Sequence, residues 1–134
     1  MVEKKDNSSV RAVGRRKTAA ARVRLTLGKG EPIINGRTLE NYFSTKLCQN
    51  VVMSPLLKVS KEKDFILSVK VIGGGINSQA EAVRHGIARA LVKWNEEFKP
   101  ILKAEGYLSR DSRSKERKKA GLHKARKAHQ WRKR

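Results

Sequence analysis

The sequence predicts an α+β body, a sheet with helices packed against it, followed by a basic C-terminal tail. Three observations carry this prediction. Two runs, at 21–27 and from Phe65, alternate apolar and polar residues with the period of a strand. A third, from Ser78, repeats apolar residues at spacings of three and four. The last 26 residues, 109–134, hold 12 Lys or Arg and little apolar content beyond Leu122, Trp131 and three alanines. A segment of that composition buries too little surface to offset the entropy of ordering it. The expected division is a polar leader at 1–9, a body at 10–108 and a tail at 109–134 that is disordered until it binds.

In the first strand Ala21, Val23, Leu25 and Leu27 point one way, and Arg22, Thr26 and Arg24 the other. The arginine face is a candidate RNA-contacting surface. Gly28-Lys29-Gly30 ends this strand, and Asn35-Gly36 after Pro32-Ile33-Ile34 supplies residues that tolerate positive φ, which predicts a hairpin. Thr38 is a candidate N-cap for a short helix to Phe43. A second helix is expected over 46–53, and Ser54-Pro55 reads as the start of another, with a cap followed by proline at the first helical position. Phe65, Leu67, Val69 and Val71 form one face of the next strand, and Ile66 and Ile72 on the other face point to a central position. After Gly73-Gly74-Gly75, the quartet Ser78-Gln79-Ala80-Glu81 fits a capping box. Val83, Ile87, Ala90, Leu91 and Trp94 then form a core stripe, with Arg84, Arg89 and Lys93 largely off it, until Pro100 interrupts the run.

The charge narrows the function. The chain carries 32 Lys or Arg against 12 Asp or Glu, a net +20. Self-repulsion on that scale weakens a compact state unless a polyanion neutralises it, and the main cellular polyanions are nucleic acids and acidic membranes. No apolar run approaches the roughly 18 residues of a membrane span. The acidic, apolar-poor N-terminus resembles neither a secretory signal nor a mitochondrial transit peptide, so a cytoplasmic protein is expected. The single cysteine, Cys48, excludes an intramolecular disulfide framework and reads as a small buried side chain.

Enzymatic readings find little support. Gly73-x-Gly75-x-x-Ser78 lacks the third glycine of a dinucleotide fingerprint, and no phosphate-loop motif of nucleotide hydrolases occurs. The glycine run reads as a tight, close-packed connection that leaves backbone donors at a helix N-terminus, and Gly73, Gly74 and Gly75 are candidates to hold an RNA phosphate there. His85 stands one turn after Glu81 without a third metal ligand, so a solvated or RNA-facing histidine is expected. His123 and His129 lie in the tail, where nothing orients them for acid–base chemistry. No catalytic residue, metal or cofactor is therefore assigned. Trp131 either stacks on RNA or packs into a neighbouring protein. The residue reading leaves Arg15-Arg16-Lys17, the Arg22 and Arg24 face and the tail as phosphate-binding candidates, with no base-reading motif among them. Compaction of arbitrary nucleic acid is an alternative that charge alone would allow.

Several blocks resemble a known family. Gly14-Arg15-Arg16-Lys17-Thr18-Ala19, Ile34-Asn35-Gly36-Arg37, Gly73-Gly74-Gly75 and Arg84-His85-Gly86-Ile87-Ala88-Arg89-Ala90-Leu91 occur in the order found in the ninth protein of the small ribosomal subunit, bacterial type. In the tail, Arg110-Asp111, Arg113, Glu116-Arg117-Lys118-Lys119, Gly121, Ala125-Arg126 and Lys133-Arg134 match as well. Asn77, Ser78 and Glu81 stand where the family often has serine and two glycines, and Arg132 replaces the usual serine. The resemblance implies a mixed four-stranded sheet packed with helices, like the second domain of the fifth small-subunit protein. It implies docking on ribosomal RNA in the subunit head, beside the seventh, tenth and fourteenth proteins. To the residue-based candidates, which in the tail are Arg110, Arg113, Arg117, Lys118, Lys119, Lys124, Arg126 and Lys127, it adds Arg37 and Arg84 as ribosomal RNA contacts. It implies that the tail tip, Arg132, Lys133 and Arg134, reaches the anticodon stem-loop of peptidyl-site transfer RNA.

Overall fold

The structure, a computed structural model, describes residues 9–131 and 133. Five strands form one sheet: β1 (Val10–Arg16), β2 (Ala19–Leu27), β3 (Ile33–Ile34), β4 (Arg37–Thr38) and β5 (Phe65–Ile72), in the order β1-β2-β5-β3-β4. β3 runs parallel to β5 and the other pairs are antiparallel, so the sheet is mixed as expected. It has one strand more than expected. The additional strand is β1, whose inward positions are Ala12 and Gly14 and whose outward ones include Arg11 and Arg15. With glycine on its core face, it presents almost no apolar alternation to read. β5 is central as expected, yet only one of its faces is covered, because Ile72 is exposed and Ile66 half-buried.

The helices are α1 (Leu39–Tyr42), α2 (Lys46–Lys58), α3 (Ile76–Trp94) and α4 (Lys99–Ala104), with a 3₁₀ turn at Glu96–Phe98. Thr38 caps α1 as predicted, its Oγ1 accepting from the Asn41 N–H at 3.4 Å. The two helices expected over 46–58 are one. Pro55 lies inside α2 and has no N–H for the Val51 carbonyl, and the Ser54 hydroxyl donates to that carbonyl at 2.7 Å instead. Ser54 therefore repairs a helix rather than starting one.

The start of α3 also departs from expectation. Gly75 is the N-cap with no side-chain cap, Ser78 is buried in the first turn, and Glu81 reaches β1 instead of closing a capping box. The helix stops at Trp94, before Pro100, because Asn95 is extended and its Oδ1 accepts from the Glu97 N–H at 3.1 Å. Pro100 sits in the first turn of α4, where a missing N–H costs nothing.

α3 lies across the inner face of β1 and β2. Val83, Ile87, Ala90 and Leu91 are fully buried against Val23, Leu25, Leu67 and Val69, and Phe43, Val52, Leu56 and Leu102 complete the core. Two glycines set this crossing. A Cβ on Gly14 would overlap the Ala82 carbonyl oxygen, and one on Gly86 would lie 2.6 Å from the Val23 methyl.

Candidate nucleic-acid interface

The outward face of the sheet is built by register. Arg11 on β1 stands opposite Arg24 on β2, and Arg22 on β2 opposite Lys70 on β5. All four are exposed, and neither Arg22, Arg24 nor Lys70 has a carboxylate partner among the described residues. Like charges directly opposed across strands destabilise a sheet. Two such pairs side by side concentrate positive charge on this face, which an anion would neutralise.

The edge of β1 away from β2 is occupied by α3. His85, Arg89 and Lys93 recur every four residues and so share one helical face. The Arg15 N–H donates to His85 Nδ1 at 3.3 Å, Arg89 Nη1 donates to the Val13 carbonyl at 2.6 Å, and Lys93 Nζ donates to the Arg11 carbonyl at 3.0 Å. His85 is thus a partner for an edge strand rather than simply solvated. Partial burial lowers its pKa from the ordinary histidine value, and the Arg89 charge lowers it further.

The root of the tail is tied to the same region. Gly106, at φ +77°, ends α4, with its N–H bonded to the Lys103 carbonyl and the Tyr107 N–H to that of Leu102. The ring of Tyr107 lies 5.3 Å from the Arg84 guanidinium carbon, so Arg84 is half-buried in a cation–π contact. Arg16, 12% exposed, bonds Glu81 at 2.6 Å, Asp111 at 3.0 Å and the Arg113 carbonyl at 3.2 Å. The Arg113 side chain and backbone N–H, with the Arg16 charge, hold Asp111 well below the usual carboxylate range. Of the Arg15-Arg16-Lys17 run, Arg16 is therefore a structural clamp. Arg15 is exposed, as is Lys17 at the hairpin tip with φ +51°.

Other predicted residues are scattered. Arg37 is exposed on β4, at the opposite edge of the sheet from β1. From Ser109 on, the described residues lie outside helices and strands apart from one isolated bridge, Leu122 with Ala128. Glu116 pairs with Lys119 and, at 3.0 Å, with Arg126, while Arg117, Lys118, Lys124 and Lys127 are exposed, as is Arg110, whose guanidinium donates to the Asp111 carbonyl. Trp131 is 79% exposed. Arg132 and Arg134 lie outside the described residues, and Lys133 is exposed. Gly73 and Gly74 adopt φ +77° and +66° and press on Thr18 and Ala19, a close-packed connection, while Gly75, the N-cap of α3, has open space around it. Cys48 is buried, its thiol 3.3 Å from Asn77 Oδ1.

Sequence reasoning did not select Arg11, Lys70, Arg89 or Lys93. The last two had a usable signal in the four-residue spacing from His85, and Lys70 in its alternation with Val69 and Val71.

Comparison with known proteins decides the family. The model of the family described as "Ribosomal protein S9/S16" matches residues 14–134, body and tail together. The chain belongs to this family. Curated relatives named "Small ribosomal subunit protein uS9" include that of Lawsonia intracellularis (strain PHE/MN1-00), 51% identical over 92% of this chain and 95% of the relative. The Mycobacterium leprae (strain TN) relative is 51% identical over 94% and 82% of the two chains. That of Azobacteroides pseudotrichonymphae genomovar. CFP2 is 49% identical over 93% and 98%.

Proposed function

We propose that this chain is a structural constituent of the small ribosomal subunit in cytoplasmic ribosomes, not an enzyme, and that it binds ribosomal RNA in the head by phosphate and shape recognition. In this reading the body has the architecture of the second domain of the fifth small-subunit protein. The tail orders on RNA, and Arg132, Lys133 and Arg134 contact the anticodon stem-loop of peptidyl-site transfer RNA. The seventh, tenth and fourteenth proteins are the expected neighbours. One observation carries the reading: the family match runs to the last residue of a tail that holds 12 of the 32 cations. Counterion release from phosphates supplies the binding energy.

Crosslinking in assembled particles tests it. Arg134 is expected to crosslink to transfer RNA, and Trp131 and the exposed Arg15 to ribosomal RNA of the head, whereas Arg16, tied to Glu81 and Asp111, is not. Absence of the protein from purified small subunits would reject the reading. So would equal affinity for arbitrary duplex DNA and head RNA at matched salt, which is the behaviour of a general compacting protein.

A further inference from the structure

Two clefts meet over the edge of β1. One, of about 520 Å³, lies on the outer-face side and is lined by Arg11, Arg22, Arg24 and Lys70. The other, of about 620 Å³, lies toward the tail root and is lined by Arg15, Lys99 and Arg110 together with Val92 and Leu108. Arg89 and Lys93 line both, held in place by the Val13 and Arg11 carbonyls. Among the described residues neither cleft is lined by a carboxylate.

The geometry points to one continuous groove over the β1 edge that takes the sugar–phosphate backbone of a folded RNA, with Arg89 and Lys93 as its saddle. This inference rests on the ribosomal reading and assigns that reading a surface on the body. Three features favour the backbone of a duplex segment. Both clefts are cationic along their length, as a run of phosphates requires. Apart from the His85 ring, whose Nδ1 is already engaged by Arg15, no aromatic side chain lines either cleft, so the stacking platforms that hold single strands are lacking. The saddle residues are pre-positioned by backbone bonds, which reduces the ordering cost of binding.

The test uses the full chain and a transcript of the small-subunit head RNA. A groove variant, Arg11→Gln with Arg24→Gln and Lys70→Gln, is compared with a control of equal charge, Lys46→Gln with Lys63→Gln and Lys103→Gln, whose sites are exposed and outside the groove. Affinity is measured across a salt series. Three lost phosphate contacts reduce the slope of log K against log salt by about 2 to 3 in the groove variant. The control is expected to keep the parental slope. Equal changes in both variants, or a parental slope in the groove variant, would overturn the groove while leaving the ribosomal reading intact. Failure of the unmodified chain to prefer head RNA over arbitrary duplex would overturn that reading instead. A second arm compares duplex and single-stranded RNA of equal length, and tighter binding of the single strand would overturn the assignment to a duplex backbone.

Discussion

Replacing Gly14 by alanine probes the closest approach in the fold. The added methyl would occupy space held by the Ala82 carbonyl oxygen and lie 2.8 Å from Gly86 Cα, and both obstacles are backbone. No rotamer change relieves such an overlap, so α3 must withdraw from β1 by about 1 Å, a gap that forfeits a quarter to a half of the dispersion well of each contact it opens. Val83, Ile87 and Leu91 lie fully buried on that helix, each contributing about 1.5 to 3 kcal/mol through burial. Losing roughly a quarter of this, on top of about 1 to 3 kcal/mol of overpacking strain, places the cost near 3 kcal/mol. For a body of about 100 residues that lowers Tm by on the order of 15 °C. Urea and thermal unfolding measure it. Gly86→Ala gives a useful contrast, because its nearest obstacle is a Val23 methyl, with the Gly14 backbone nitrogen at 3.1 Å behind it, and Val23→Ala in the same chain should recover part of the loss. Gly36→Ala, with open space but φ +78°, should cost only about 1 kcal/mol. A Gly14→Ala protein within about 1 kcal/mol of the parent would refute the steric account of the β1–α3 crossing.

Four further outcomes are expected. Asn35→Ala removes a side chain that bonds the N–H and the carbonyl of Val71, both at 2.9 Å, at a residue with φ +51°, and should cost about 2 to 3 kcal/mol in urea unfolding. Arg16→Gln strips the cation from Glu81 and Asp111; a loss of about 1 to 2 kcal/mol is expected, with faster proteolysis between Gly106 and Arg113. Because the pKa of folded His85 lies below the usual 6.5, the unfolded chain binds a proton there that the folded chain refuses as pH falls below about 6.5. Stability is therefore full above that pH and declines beneath it; a thermal-melt series from pH 7.5 to 5.5 should show the decline, and His85→Gln should flatten it. Deleting residues 132–134 should leave the melting curve unchanged while weakening transfer RNA binding to assembled subunits by about 1 to 3 kcal/mol, less at high salt.

The sequence made legible what depends on local chemistry. The alternation of β2 and β5, the cap at Thr38, the Asn35-Gly36 turn and the stripe of α3 each follow from residues within a few positions of one another. β1 stayed hidden because its core side is Ala12 and Gly14, so its burial comes from close backbone approach rather than from apolar side chains. The span of α2 was misread because Ser54-Pro55 carries the same residues whether it starts a helix or mends one. The basic face shows a further limit. Arg22 and Arg24 were visible as outward residues of a strand, but their pairing with Lys70 and Arg11 is a matter of register between segments far apart in the chain. The tethering of Arg16 to the tail root required the fold to bring residues 16, 81 and 111 together.

The row of His85, Arg89 and Lys93 has a consequence for how the protein survives before assembly. An open sheet margin is a template on which another copy can grow, and a ribosomal protein synthesised ahead of its RNA is exposed to that hazard. By engaging the Arg11 and Val13 carbonyls and the Arg15 N–H, side chains of the helix occupy part of the main-chain docking line on that flank. Another copy would have to displace those three side chains to pair there, which raises the cost of edge-to-edge growth for the newly made body.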